Sequence, residues 1–504
     1  MSPVAESDSQ IESIPALGGR SRRFWRLAFS FPAMLSALLV VLAVITARPR
    51  LNDPDLWWHL KTGEIIWNTH QIPRTDLFSF TTNNHEWIAH EWLSQVAIYV
   101  SWRLGGYAGL MLWLCAFSSM LLLAAYALSS IYSGNAKVAL LGALITWFFG
   151  TIGLAIRPHI LGYLLLTCEL LIVCLARTRN ARWFLALPPL FVLWVNCHGS
   201  FPLGLIVLAV FLFCSFLDLR TEWLVSCRWR ASERALLAVA LALSVAALFV
   251  NPLGLKQVLY PLNLMFKQST NLNSIDEWQP LTFNNARALA LLAVTGLVCV
   301  SMLMRRIQIR LEELLLLGLG LGLALLHVRM LFLFGVLAAP IVCRLLSDAW
   351  PGYDSARDRI AANAVMMLIS LGSIPLAFPT SKQLDQQVQE GNPVKAVEFI
   401  RRSKLSGPML NEYVYGGYLM WALPEHKVFV DGRADIYDWT GVLKEFGAWA
   451  TLETDPKALL DKYHIDFCLL SRHAPMSRVL PYMPGWSQIY SDKVSVVFAK
   501  VKSS

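Results

Sequence analysis

Charge is scarce in this sequence. Only 15% of its 504 residues are Asp, Glu, Lys or Arg, against roughly 25% in a typical soluble domain, and that shortage excludes an ordinary soluble enzyme. The nine cysteines show no paired short spacing, and all but Cys468 fall in or beside apolar stretches, so neither a zinc site nor a disulfide framework is suggested. No internal repeat or low-complexity tract is found. What is present is apolar: 56% of residues are hydrophobic and the mean hydropathy is +0.50. The net charge of +9 would suggest nucleic acid in a soluble chain; here it reads as lysine and arginine on a cytoplasmic face, with no nucleic-acid partner. The 19 Trp and 14 Tyr suit interfacial belts.

Eleven apolar runs predict a polytopic α-helical membrane protein of about 11 spans, at about 30–47, 107–130, 137–155, 159–176, 183–198, 200–218, 234–251, 286–304, 311–327, 330–346 and 361–378. Arg20, Arg22, Arg23 and Arg26 precede the first run and Ala47 lies near its end, as in a signal peptide, but ten further spans favour a retained helix. With residues 1–29 as a cytoplasmic tail, the predicted inner loops carry Arg177, Arg179 and Arg182, then Arg220, Arg228, Arg230 and Arg234, then Arg305, Arg306 and Arg310. The positive-inside rule is obeyed, with Arg48, Arg50 and Arg74 as exceptions. The stretch EWLSQVAIYVSWRL at 91–104 is too short to cross about 30 Å of hydrocarbon at about 1.5 Å per residue, and is placed flat on the outer interface. All ten histidines then fall on the outer side or at outer helix ends. The transmembrane domain spans 30–378, with a large first outer loop at 48–106. Residues 379–504 change in composition and read as a separate outer soluble domain, α/β or α+β, with helices at 392–403 and 456–464 and β-like runs at Val428–Val430, Phe467–Leu470 and Val494–Phe498.

The first outer loop opens Asp53-Pro54-Asp55-Leu56-Trp57-Trp58-His59, which predicts a helix to about Asn68 with Asp53 as N-cap and Pro54 as its first residue. A helix puts Asp55 and His59 on one face, as a carboxylate–imidazole pair beside the membrane or as local helix-start electrostatics. Farther on, His85-Glu86-Trp87-Ile88-Ala89-His90-Glu91-Trp92 repeats the triplet His-Glu-Trp five residues apart, so its histidines do not share a helical face as a zinc-protease motif requires. Two readings stand: an aromatic belt with polar companions, or His90 and Glu91 opening the interfacial helix toward Asp55. Other outer helix ends carry Arg157-Pro158-His159, Asn196-Cys197-His198-Gly199-Ser200, Asn251-Pro252, Glu277-Trp278 and His327-Val328-Arg329. Pro158, Pro252 and Gly199 are also ordinary helix-end and turn residues. As a group, Arg157 and Arg329 with His159, His198 and His327 would surround one outer cavity able to hold a phosphate. Glu169, inside a span, is expected to face the bundle. Asn411-Glu412-Tyr413 with Gly416-Gly417, and Asp431-Gly432-Arg433-Ala434-Asp435, read as strand-end loops, with Arg433 in a local ion pair between two aspartates.

The acidic start of the first loop at Asp53 and Asp55, the interfacial helix at 91–104 and its Gly105-Gly106 end resemble the GT-C superfamily of integral membrane glycosyltransferases, in the protein O-mannosyltransferase and lipid A aminoarabinose transferase branch. The resemblance is specific over about 30–200 and architectural beyond. It implies inverting transfer of a sugar from a polyprenyl-phosphate donor to a lipid, glycan or protein acceptor, on the outer face of the bacterial inner membrane and among membrane lipids, with a periplasmic C-terminal domain. Asp55 would be the general base and Asp53 its catalytic companion. His90, Arg157, His159, His198 and Arg329 would bind the donor phosphate, supported by His59, Glu91 and Asn196. One departure stands out: where many members have a second acidic residue, this chain has Arg157-Pro158-His159, which puts metal coordination in doubt and is compatible with phosphate binding by cations, with a sugar-diphosphate-lipid donor or with a lineage that has lost transfer, while a divalent cation stays open as cofactor. A non-catalytic transporter would instead show inverted repeats or mid-span polar residues. An envelope scaffold or sensor would act through its outer domain.

Overall fold

The computed structural model describes residues 17–47, 51–268, 275–305 and 307–501. Arg48, Arg50 and Arg306 lie outside the described residues, as do the side chains of Arg20, Arg22 and Arg305. Each of the eleven apolar runs is helical, because long Leu-, Val- and Ala-rich segments satisfy their backbone polar groups internally. Among the described residues, six helices are long and apolar enough to cross a membrane: Trp92–Ser133, Ala136–Gly153, His159–Thr178, Ala286–Met304, Val328–Leu345 and Ile360–Ala377. Phe31–Ala47, Ala181–Cys197 and Phe201–Cys214 are shorter apolar helices. Val328–Leu345 is the most buried of the six, whereas Ile360–Ala377 leaves Leu368 and Ile369 largely exposed. One end of the bundle is closed by the ion pairs Arg177–Glu312 (2.6 Å) and Arg344–Glu313, next to a small sheet of Leu219–Arg220, Leu224–Ser226 and Ile309–Arg310.

The first loop and the C-terminal segment gather at the opposite end. The stretch at 91–104 forms a helix from Trp92, and non-helical backbone at Gly105 and Gly106 separates it, by a kink, from the second helix that runs on to Ser133. Gly106, at φ 56° and ψ −139°, occupies a region open chiefly to glycine. The loop helix runs Asp55–Thr69 and lies so close to the helix from Trp92 that a Cβ on Gly63 would fall 2.1 Å from the Gln95 carbonyl oxygen.

The C-terminal segment forms a mixed sheet in the order Met409–Asn411, Phe467–Ser471, Ser495–Lys500, Trp486–Ser491, with the first pair parallel and the others antiparallel. Helices Val394–Ser403 and Pro456–Lys462 fall where expected. Val428–Val430 is no strand of that sheet; Val428 instead makes an isolated bridge with Ser79 of the first loop. Gly416-Gly417 opens the helix Gly416–Ala422 rather than a strand-end loop, and this helix packs on the loop helix with Gly417 against the Pro54 carbonyl. One continuous core joins the C-terminal segment to the bundle. All nine cysteines are unpaired.

Candidate active site

The site is built from helix ends. Asp53 accepts the Asp55 backbone N–H at 2.9 Å, pinning the turn that starts the loop helix, although Pro54 rather than Asp53 occupies the capping position. Arg157 stands in the short turn before the helix His159–Thr178, fixed by Pro158 and by its own N–H on the Ala155 carbonyl. Its Nε lies 2.9 and 2.8 Å from the two Asp53 carboxylate oxygens, and its Nη1 3.0 Å from Asp55 Oδ2. Burial pushes the Asp55 carboxyl up to about 6, with Arg157 pulling it back down. The expected Asp55–His59 pair does not form, because Arg157 takes Asp55. His59 Nδ1 faces Gln95 Nε2 at 3.3 Å and Glu91 Oε2 at 4.0 Å.

Glu91 sits just ahead of Trp92–Ser133 among three imidazoles, with His198 Nε2 at 3.6 Å, His90 Nε2 at 3.7 Å and His59 beyond. Burial drives its carboxyl up to about 8 and His90 down to about 4, and holds His59 and His198 well below the usual histidine range. His198 is oriented by Ser200 Oγ, 2.8 Å from its Nδ1.

One cavity of about 610 Å³ takes in Asp55, His59, His90, Glu91, Arg157, His159, His198, His327 and Arg329. Asp53 is held to it through Arg157. Asn196 stays outside the lining and serves structure: its Oδ1 accepts Trp92 Nε1 at 2.8 Å, and its amide ties Val192 to Val250. His85 and Glu86 also stay outside the lining; Glu86 pairs with Lys256 at the surface. Arg329 lies over the Trp278 ring, 3.9 Å from Glu277.

Several lining residues carried no functional expectation. The helix Leu255–Lys267, too short and too mixed to register as a span, supplies Tyr260, whose hydroxyl donates to Asp435 Oδ2 at 3.0 Å and whose ring stacks on His90. Burial pushes Asp435 up to about 6. Arg433 makes the expected local pair with Asp431 (2.7 Å), but its second carboxylate is Asp76 of the first loop (2.8 Å) rather than Asp435, between the Phe78 and Trp87 rings. Gly432 lies so near Asp55 that a Cβ there would fall 2.1 Å from Oδ1. The far wall is apolar, with Leu203, Pro261, Leu262, Met265, Leu323 and Met330. Glu169 is fully buried in the bundle, against Gly204 and away from this cavity.

No family model and no curated protein matches the chain. Solved structures do. ArnT from Cupriavidus metallidurans bound to undecaprenyl phosphate is 13% identical at TM-score 0.51, covering 97% of this chain and 99% of that one. Archaeal oligosaccharyltransferase AglB from Archaeoglobus fulgidus, in complex with an inhibitory peptide and a dolichol-phosphate, is 11% identical at TM-score 0.51, covering 95% and 75%. The Archaeoglobus fulgidus oligosaccharyltransferase in complex with Zn and sulfate is 12% identical at TM-score 0.50, covering 92% and 73%. The chain therefore shares its fold with the ArnT and archaeal oligosaccharyltransferase structures.

Proposed function

We propose that the protein is an inverting glycosyltransferase that moves a sugar from a polyprenyl-phosphate donor to an acceptor hydroxyl. The observation that carries this reading is the two-sided cavity, which sets Asp55, two arginines and the histidines against an apolar wall, in a fold shared with proteins solved with dolichol-phosphate and undecaprenyl phosphate. In this reading the prenyl chain lies along Leu203, Pro261, Leu262 and Met265, and the phosphate toward Arg157, Arg329, His90, His159 and His198. Asp55 is the general base: ionised above about pH 6, it takes the acceptor proton as the hydroxyl oxygen bonds to the anomeric carbon. The anomeric C–O bond breaks on the opposite side, and its electron pair leaves with the prenyl phosphate. The arginines meet that charge, which is where preorganised cations accelerate transfer. Topologically, the first loop and the C-terminal segment face the periplasm of a bacterial inner membrane.

Asp55→Asn in purified protein, given undecaprenyl-phosphate sugar and a lipid or peptide acceptor, is expected to lose transfer by about 10²-fold or more. Full activity in that variant sinks the assignment of the base.

The residues do not fit a metal ion. Among the described residues no three His, Cys, Asp or Glu side chains come together as a set able to hold one, and the space between Asp53 and Asp55 is taken by Arg157.

A further inference from the structure

We propose that the Arg157 guanidinium is a built-in cation that stands where a metal ion would bridge the two loop aspartates, so that the site works without a divalent ion. The proposal rests on the glycosyl-transfer reading above.

Asp53 and Asp55 are two residues apart in one turn, and that turn is closed by the Asp53 carboxylate on the Asp55 amide at 2.9 Å. Two ionised carboxylates in such proximity repel, and they remain charged together only with a cation between them. Arg157 supplies it with two of its nitrogens, Nε on both Asp53 oxygens and Nη1 on Asp55 Oδ2, all within 3.0 Å. The side chain is not a passing surface contact: Arg157, Asp53 and Asp55 are 24%, 12% and 21% exposed, and the arginine is anchored by the turn into Pro158.

A guanidinium differs from a divalent ion in ways that matter here. It carries one charge, it never dissociates from the protein, and its donors have fixed directions. Nη1 orients the Asp55 carboxylate as a base while Nε neutralises Asp53. Nη2 makes no hydrogen bond among the described residues, and Arg157 lines the cavity, so the two N–H groups of Nη2 are left over for phosphate oxygens. His159, two residues on, does not complete a metal set, because its Nε2 is engaged by the Gly153 carbonyl.

The test titrates Mn²⁺ into EDTA-stripped, full-length protein in detergent, by calorimetry and by elemental counting, alongside transfer assays with and without EDTA. Wild type is expected to take up no stoichiometric Mn²⁺ and to keep its transfer rate within about twofold in EDTA. Arg157→Asp, which puts a third carboxylate where the guanidinium was, is expected to bind one Mn²⁺ per chain. A stoichiometric ion in wild type that Asp53→Asn removes overturns the proposal. So does a transfer rate that falls by about tenfold in EDTA and returns with Mn²⁺. A folded Arg157→Asp protein that binds no Mn²⁺ overturns it as well, and should that variant not fold, the wild-type measurements decide alone. A complete lack of transfer with every donor would instead count against the glycosyltransferase reading and leave the Mn²⁺ measurements interpretable.

Discussion

At the scale of single residues, the site is a set of titratable groups held out of water. Glu91 is the clearest case, its carboxyl raised from the ordinary 4.5 to about 8 by burial, with Arg329 opposing. Between those two values the folded protein holds a proton that the unfolded chain has released. Folding stability is therefore fully present below 4.5 and is lost as pH rises toward 8. Glu91→Gln removes this dependence, so the thermal midpoint of wild type should fall more steeply than that of Glu91→Gln across the window from 4.5 to about 8. Parallel curves would show that Glu91 is ionised in the fold. His90 acts on the acid side with the opposite sense: lowered from 6.5 to about 4, it withdraws stability as pH falls through that range. The residues at this scale were legible because histidine and arginine gather at the helix ends predicted to be outer, where the positive-inside bias does not account for the arginines. Their partners were not. Nothing in Asp53-Pro54-Asp55 says that Arg157, a hundred residues away, will bridge it, and an i,i+4 rule alone pairs Asp55 with His59.

At the scale of elements, apolar runs translate directly into helices because a lipid-exposed backbone leaves no other choice. Shorter pieces escape that logic. Leu255–Lys267 is 13 residues long with Pro261 inside, so neither length nor composition marks it, although it furnishes Tyr260. Val428–Val430 has strand chemistry but spends it on the first loop, a contact decided by tertiary packing. The Gly105-Gly106 pair was readable as the end of a helix, and the structure ends one helix and starts the next across a kink there. The two glycines should differ when substituted. A Cβ on either meets nothing within 4 Å, so only backbone strain discriminates them. Gly106→Ala, at φ 56° and ψ −139°, should destabilise by about 1–3 kcal/mol. Gly105→Ala, at φ −148°, should be nearly neutral, with melting in detergent as the measurement.

At the scale of the molecule, the first loop and the C-terminal segment form one body. A separate outer domain is what a change in composition at 379 suggests, since composition reports solvent exposure rather than which buried faces meet. Arg433 shows the join. It is 2% exposed, with Asp76 and Asp431 fully buried around it. Arg433→Ala leaves two buried carboxylates without their cation and should cost about 3–5 kcal/mol. Arg401→Ala, which breaks a half-exposed pair with Glu425, should cost about 1 kcal/mol or less. Chemical denaturation of the two variants side by side checks the contrast, and equal losses would mean that the buried triad adds nothing to the join. The same triad has a consequence for the order of assembly. Ribosomes make Asp76 before Arg433, so until Arg433 emerges the first loop carries a carboxylate without its counter-charge. The cavity around Asp55 can close only after Gly432, Arg433 and Asp435 have emerged, which keeps a shorter nascent chain from presenting a completed site.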